Sequence, residues 1–132
     1  PFVSLNEAKH AIRATMLPAD YSMLQLQEMN SRWIGYQSLS FDIARPACDA
    51  SSPLTLRLRI RAWAKPPHTA DSYYRTITLV PGDRMSVQIP LSEIGAADGS
   101  GTLNVANVRF IEFLAIDLLE PATFELANVR LR

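Results

Sequence analysis

Cysteine and histidine are nearly missing from this chain of 132 residues: Cys48 stands alone, and the histidines are His10 and His68. A single cysteine closes no internal disulfide, and no His/Cys cluster has the spacing of a zinc site. One cysteine fits the bacterial periplasm as well as a reducing compartment. The two histidines lie far apart, and no serine sits in a Gly-x-Ser-x-Gly elbow. Cys48 lies in a connection rich in Pro and Ser with no base beside it, so it reads as inert. Glycine numbers only 5, and Gly99-Ser-Gly101 reads as a turn rather than a phosphate cradle.

An excess of charge of either sign is absent too. Thirteen basic residues balance 13 acidic ones, whereas a nucleic-acid binder needs a basic surplus to displace counterions. No run approaches the roughly 18 to 20 apolar residues of a membrane helix. The chain opens at Pro1 with neither an initiator methionine nor a signal-like segment, which reads as a piece excised from a longer, membrane-anchored or multidomain protein. Carboxylates are present, among them Asp42, Glu112, Asp117 and Glu120, but catalysis by a pair of them requires a spatial separation that spacing does not show. The expectation is a non-enzyme with no cofactor and no nucleic-acid partner.

What is present is punctuation at short intervals. Pro18, Gly35, Pro46, Pro53, Pro66-Pro67, Pro81-Gly82-Asp83, Gly95 and Pro121 separate short runs rich in Leu, Ile, Val, Phe and Tyr. This rhythm predicts strands over residues 10–17, 22–28, 38–44, 54–64, 74–80, 85–90, 108–118 and 123–132. Eight strands match an all-β, two-sheet antiparallel jelly-roll sandwich with little helix. Residues 4–14 offer a helical alternative, because Ser4 and Glu7 have capping-box spacing. A single helical turn is expected after Ser92, with Ser92 as its cap.

The clearest strand is Leu-Thr-Leu-Arg-Leu-Arg-Ile-Arg-Ala-Trp, from Leu54 to Trp63. Its period of two turns Leu54, Leu56, Leu58, Ile60 and Ala62 to a core and sets Thr55, Arg57, Arg59, Arg61 and Trp63 on the other face. Guanidiniums about 7 Å apart on that face offer forked, planar donors. Such donors suit hydroxyls and carboxylates, and aromatic rings cover sugar C–H faces. The bland alternative stays open: the arginines pair with Glu112, Asp117 or Glu125 on neighbouring strands. A second feature is the run from Val108 to Asp117, apolar on both faces, which points to a central strand or to a surface for self-association or docking.

Four segments carry a resemblance. Residues 31–43 (Ser-Arg-Trp-Ile-Gly-Tyr-Gln-Ser-Leu-Ser-Phe-Asp-Ile), 54–60, 87–94 (Val-Gln-Ile-Pro-Leu-Ser-Glu-Ile) and 124–131 (Phe-Glu-Leu-Ala-Asn-Val-Arg-Leu) resemble, in order and spacing, the galactose-binding-like jelly rolls of carbohydrate-binding modules. They are similar in particular to the soluble C-terminal domain of bacterial VanZ-like membrane proteins. Trp33, Gly35 and Tyr36 match a Trp-x-Gly-Tyr pattern of that family, whose tryptophan more often packs under a loop than serves as a stacking platform. His68, Asp71, Tyr74 and Arg75 resemble its variable loop. Ala127 and Asn128 stand where such modules often carry paired acidic residues beside a structural calcium; an alanine side chain offers no ligand oxygen, so no metal is expected.

Length makes the chain a single domain over residues 1–132, and the resemblance, which spans roughly residues 10–131, implies an accessory module that acts outside the cytoplasm. Its implied partner is an acidic or polar glycan, such as a cell-envelope polysaccharide, held by Arg57, Arg59, Arg61, Trp63, His68, Tyr74 and Arg75. The alternative is a structural, docking or oligomerisation domain that binds its parent protein or another copy of itself.

Overall fold

In the computed structural model the residues described are 2–4, 11–18, 22–27, 33–47, 52–62, 72–96 and 108–132. They form nine strands: β1 (Phe2–Ser4), β2 (Ile12–Met16), β3 (Met23–Gln27), β4 (Ser38–Ala44), β5 (Leu54–Ala62), β6 (Ser72–Leu79), β7 (Arg84–Pro90), β8 (Val108–Ile116) and β9 (Ala122–Leu131). One short helix, α1 (Leu91–Ala96), follows β7. A five-stranded sheet runs β1-β3-β8-β5-β6 and a four-stranded sheet runs β2-β9-β4-β7. Every pairing is antiparallel except that of β1 with β3. The eight expected strands are all present within a few residues of their expected ends, and the architecture is the expected all-β sandwich. The ninth, β1, is three residues of apolar and small side chains with too little pattern to announce itself.

Alternation decides which face of each strand turns inward. On β5, Leu54, Leu56, Leu58 and Ile60 are all at most 1% exposed, while the residues between them face away. The opposing sheet answers with Leu39, Phe41 and Ile43 of β4 and Phe124, Leu126 and Val129 of β9. Phe113 of β8 links the two layers: its ring meets Phe41 edge-on at 5.5 Å and Phe124 at 6.0 Å. Such aromatic pairs contribute about 0.5–1.5 kcal/mol beyond the area they bury.

One expectation needs correction. The helical turn begins at Leu91 rather than after Ser92, because Leu91 and Ile94, three positions apart, are the pair that reaches the core. Ser92 therefore lies exposed inside the first turn and is not its cap. Of residues 4–14, Ser4 ends β1 and Ile12, Arg13 and Ala14 belong to β2, while residues 5–10 lie outside the described residues.

Sequence patterning did not flag Arg45, which is 2% exposed. Its Nη1 donates to the carbonyls of Ser52 at 2.6 Å and Leu79 at 2.9 Å, and its backbone holds the turn at Pro81-Gly82, accepting from Gly82 N and donating to Asp83 O. Gly82 has a φ of +89°, the left-handed value that the third position of a type II turn requires.

Candidate functional site

The outward face of the five-stranded sheet is assembled by register. Arg59 lies between Glu112 of β8 and Tyr74 of β6; Arg61 lies between Phe110 and Ser72; Arg57 lies between Leu114 and Thr76. Gln25 of β3 extends the middle row on the far side of Glu112. The three arginines expected on one face are therefore together, with Tyr74 beside them and 52% exposed.

Glu112 is the hub of this face and is only 1% exposed. Its Oε1 accepts from Arg59 Nε at 2.7 Å and lies 3.0 Å from Arg61 Nε, and its Oε2 accepts from Gln25 Nε2 at 2.8 Å. The contact to Arg61 is an ion pair without hydrogen-bond alignment, since Arg61 Nε has no hydrogen-bond partner. The Arg61 guanidinium lies 4.9 Å above the Phe110 ring, and the Arg57 guanidinium lies 5.9 Å from the Tyr74 ring centre. Rings at that range hold a cation through their negative faces. The bland alternative is thus partly realised, with Glu112 as the partner. Glu125 instead pairs with Arg13 on the opposite sheet, and Asp117 is exposed with a φ of +50°. Three guanidiniums and one carboxylate leave this face two positive charges in surplus.

Arg75 does not join this group. It follows Tyr74 directly, so the pleat sends it to the other face of β6, opposite Leu58 and next to Tyr73. Burial pushes the Tyr73 hydroxyl above its ordinary 10.0, and nearby Glu93 adds to the effect. Trp63, His68 and Asp71 lie outside the described residues, as does Cys48. Trp33 is fully buried, as the family pattern implies, with no hydrogen-bond partner for its indole N–H among the described residues. Tyr36 is 41% exposed, and Gly35 between them has a φ of +95°.

The doubly apolar strand turns out to serve two faces. Ile111 and Phe113 enter the core, while Phe110, Leu114 and Ile116 share the arginine face, half-buried, with Phe110 beneath Arg61. A calcium site at the end of β9 finds no suitable donors. Ala127 has none, Asn128 turns its amide nitrogen onto Asp42, and no group of three His, Cys, Asp or Glu side chains gathers among the described residues. Calcium takes about six to eight oxygens, so these residues do not fit it.

Comparison with known proteins gives fold relatives. No protein-family model matches the sequence, and a comparison with curated proteins gives no match. Among solved structures, the chain is similar to a family 11 carbohydrate-binding module from Clostridium thermocellum in complex with a β-1,3-1,4-mixed-linked tetrasaccharide. The TM-score is 0.66 at 19% identity, with 92% of this chain and 82% of that one covered. A family 30 carbohydrate-binding module of a cellulosomal cellulase of Clostridium thermocellum gives 0.63 at 14% identity, covering 92% of this chain and 73% of the module. An exo-β-agarase gives 0.69 at 14% identity, and there the match spans 92% of this chain but 20% of the enzyme. The chain shares its jelly-roll fold with these proteins.

Proposed function

We propose that the domain is a non-catalytic, carbohydrate-binding accessory module whose ligand is an acidic or polar glycan lying across the arginine face. The observation that carries this reading is the way Glu112 holds that face. By engaging the Nε edges of Arg59 and Arg61, it fixes two long side chains that would otherwise lose rotamer freedom on binding. The Arg61 side chain stays 40% exposed, which leaves its guanidinium open to a ligand. A fork of that kind matches a carboxylate or sulfate oxygen pair better than a single hydroxyl. Tyr74 supplies an exposed ring alongside. Trp63, His68 and Tyr74 complete the ligand-binding set in this reading, and Arg75 drops out because it points to the other face.

The geometry of one carboxylate pair supports the non-catalytic reading. Asp42 and Glu112 face outward from opposite sheets, which in a sandwich stand about 10 Å apart, so these two do not form the pair that flanks one bond in glycoside hydrolysis. The carbohydrate-binding modules that share this fold support an extracytoplasmic role for the domain.

A glycan array probed at low and moderate salt tests the reading. Hits confined to uronate- or sulfate-bearing glycans, weakened by salt and lost in Arg61→Ala, are expected. A blank array, or hits on neutral glucans that Arg61→Ala leaves intact, would overturn it. The docking alternative rests on Phe110, Leu114 and Ile116 and predicts a dimer by light scattering that Leu114→Asp dissolves.

A further inference from the structure

The four-stranded sheet has an outward face of its own, and its surface is broken. Ser40 of β4 lies opposite Arg130 of β9, yet Asp42 lies opposite Ala127, so β9 spends one residue more than β4 between the same two rungs. The extra residue is accommodated at Asn128, in the left-handed region at a φ of +54°. Its side chain donates from Nδ2 to Asp42 Oδ2 at 2.7 Å, while Ser86 Oγ of β7 donates to Asp42 Oδ1, also at 2.7 Å. These two bonds hold the Asp42 carboxylate below its ordinary 3.8 and keep it charged.

Hollows lie on both sides of this trio. One of about 210 Å³ is lined by Ser40, Gln88 and Arg130 among others. The next, about 440 Å³, is lined by Ala11, Ala44 and Arg84, and shares Asp42, Ser86 and Asn128 with the first. A third of about 300 Å³, by Pro46 and Gly82, shares Ala44, Arg84 and Glu125 with the second. Hollows that share their walls make one groove. It follows β4 from Ser40 to Ala44 and continues to Pro46, a length of about 20 Å at the rise of an extended chain.

The uncharged polar groups gather towards the Ser40 end of the groove, and arginines line it at both ends. Its base is small, with Ala11, Ala44 and Ala127, and no exposed aromatic ring lines it. Its polar groups are a fixed carboxylate, two amides and two serine hydroxyls, the types that hydrogen-bond vicinal hydroxyls. Its charges are Arg13, Arg45, Arg84, Arg130 and Arg132 against Asp42 and Glu125, a surplus of three positive charges, with Arg13 already paired to Glu125 and Arg45 held by the carbonyls of Ser52 and Leu79.

We propose that this groove is a second binding site, for an extended anionic oligosaccharide, on the sheet opposite the arginine face. A peptide would demand apolar pockets for alternate side chains or a free sheet edge, and the groove runs over the face of β4, which is paired on both sides. The two sites then lie back to back, so that one module bridges two chains of an acidic polysaccharide. The groove is argued from its own residues and does not depend on the arginine face.

Amide chemical shifts of the labelled domain during titration with a uronic-acid tetrasaccharide test the proposal, with a neutral tetrasaccharide in parallel. Saturable shifts at Ser40, Asp42, Ser86 and Asn128 are expected with the acidic sugar, and they persist in Arg61→Ala. Arg84→Gln with Arg130→Gln weakens them about tenfold or more, as expected when charge-assisted hydrogen bonds are lost. Asn128→Gly frees Asp42 while keeping the left-handed backbone, and also weakens the binding. Shifts confined to β5, β6 and β8, or equal shifts with the neutral sugar, overturn the second site. Shifts at β4 without any at β5 would sink the arginine-face reading and leave this one standing.

Discussion

Removing the carboxylate of Glu112 should cost more than any other single change on the arginine face. Glu112 is 1% exposed and receives Arg59, Arg61 and Gln25, so Glu112→Ala leaves two adjacent guanidiniums facing each other across an empty acceptor site. Breaking a buried ion pair from one side costs about 3–5 kcal/mol. The Arg59 side chain is 17% exposed and that of Arg61 40%, so water compensates part of the loss and the lower end, about 3 kcal/mol, applies. With an m-value of about 1.5 kcal/mol/M, the urea midpoint falls by about 2 M. Glu112→Gln keeps the shape and one acceptor oxygen, and should lose about half as much. A double-mutant cycle with Arg59→Ala isolates the pair itself. A midpoint shift in Glu112→Ala below about 0.5 M would refute the view that this carboxylate organises the face. The same variant should weaken an acidic glycan, because the fork at Arg61 is then no longer held in place.

Three further outcomes follow from the core and the turns. Phe113→Ala removes the ring that joins Phe41 to Phe124 and should destabilise the domain by about 3–5 kcal/mol in the same urea assay. Arg45→Met leaves the carbonyls of Ser52 and Leu79 without their charged donor, and should cost about 2–3 kcal/mol. Hydrogen bonds hold the Asp42 carboxylate below 3.8, so its contribution is present above that pH and is lost as the pH falls through the lower, folded value. Urea midpoints measured from neutral pH down to about pH 2 should therefore show an acid limb that is reduced in Asp42→Asn.

Much of the fold was legible because burial and chain period coincide. The alternation of β5 put its leucines inward and its arginines outward, and nothing in the tertiary structure opposed it. Arg75 was misplaced for the reason that makes alternation useful: types suited to a site were grouped by proximity in sequence, yet neighbours on a strand face apart. Glu112 was visible as a possible partner but not as a hub, since its role depends on β3 and β5 flanking β8, and pairing order is a long-range property. Arg45 has no pattern around it at all. Its burial comes from two connections that converge, β4–β5 at Ser52 and β6–β7 at Leu79 and Asp83.

The bulge in β9 did leave a trace in the sequence. Phe124, Leu126, Val129 and Leu131 are its inward apolar residues, with a spacing of two, three and two. The odd step puts Ala127 and Asn128 both outward, and it is this doubling that opens the second groove. Deletion of Asn128 would make the spacing two throughout and keep every apolar residue of β9 facing the core. It removes a residue in the left-handed region, which costs about 1 kcal/mol to hold there, and also removes the bond to Asp42, worth about 1 kcal/mol. The two nearly cancel, so the variant should melt within a few degrees of the parent while losing the shifts at Ser40, Asp42 and Ser86 on titration with the acidic sugar. Collapse of the fold on deletion would show instead that the sandwich needs the bend the bulge imposes on β9, and that the groove is a by-product of packing rather than a built site.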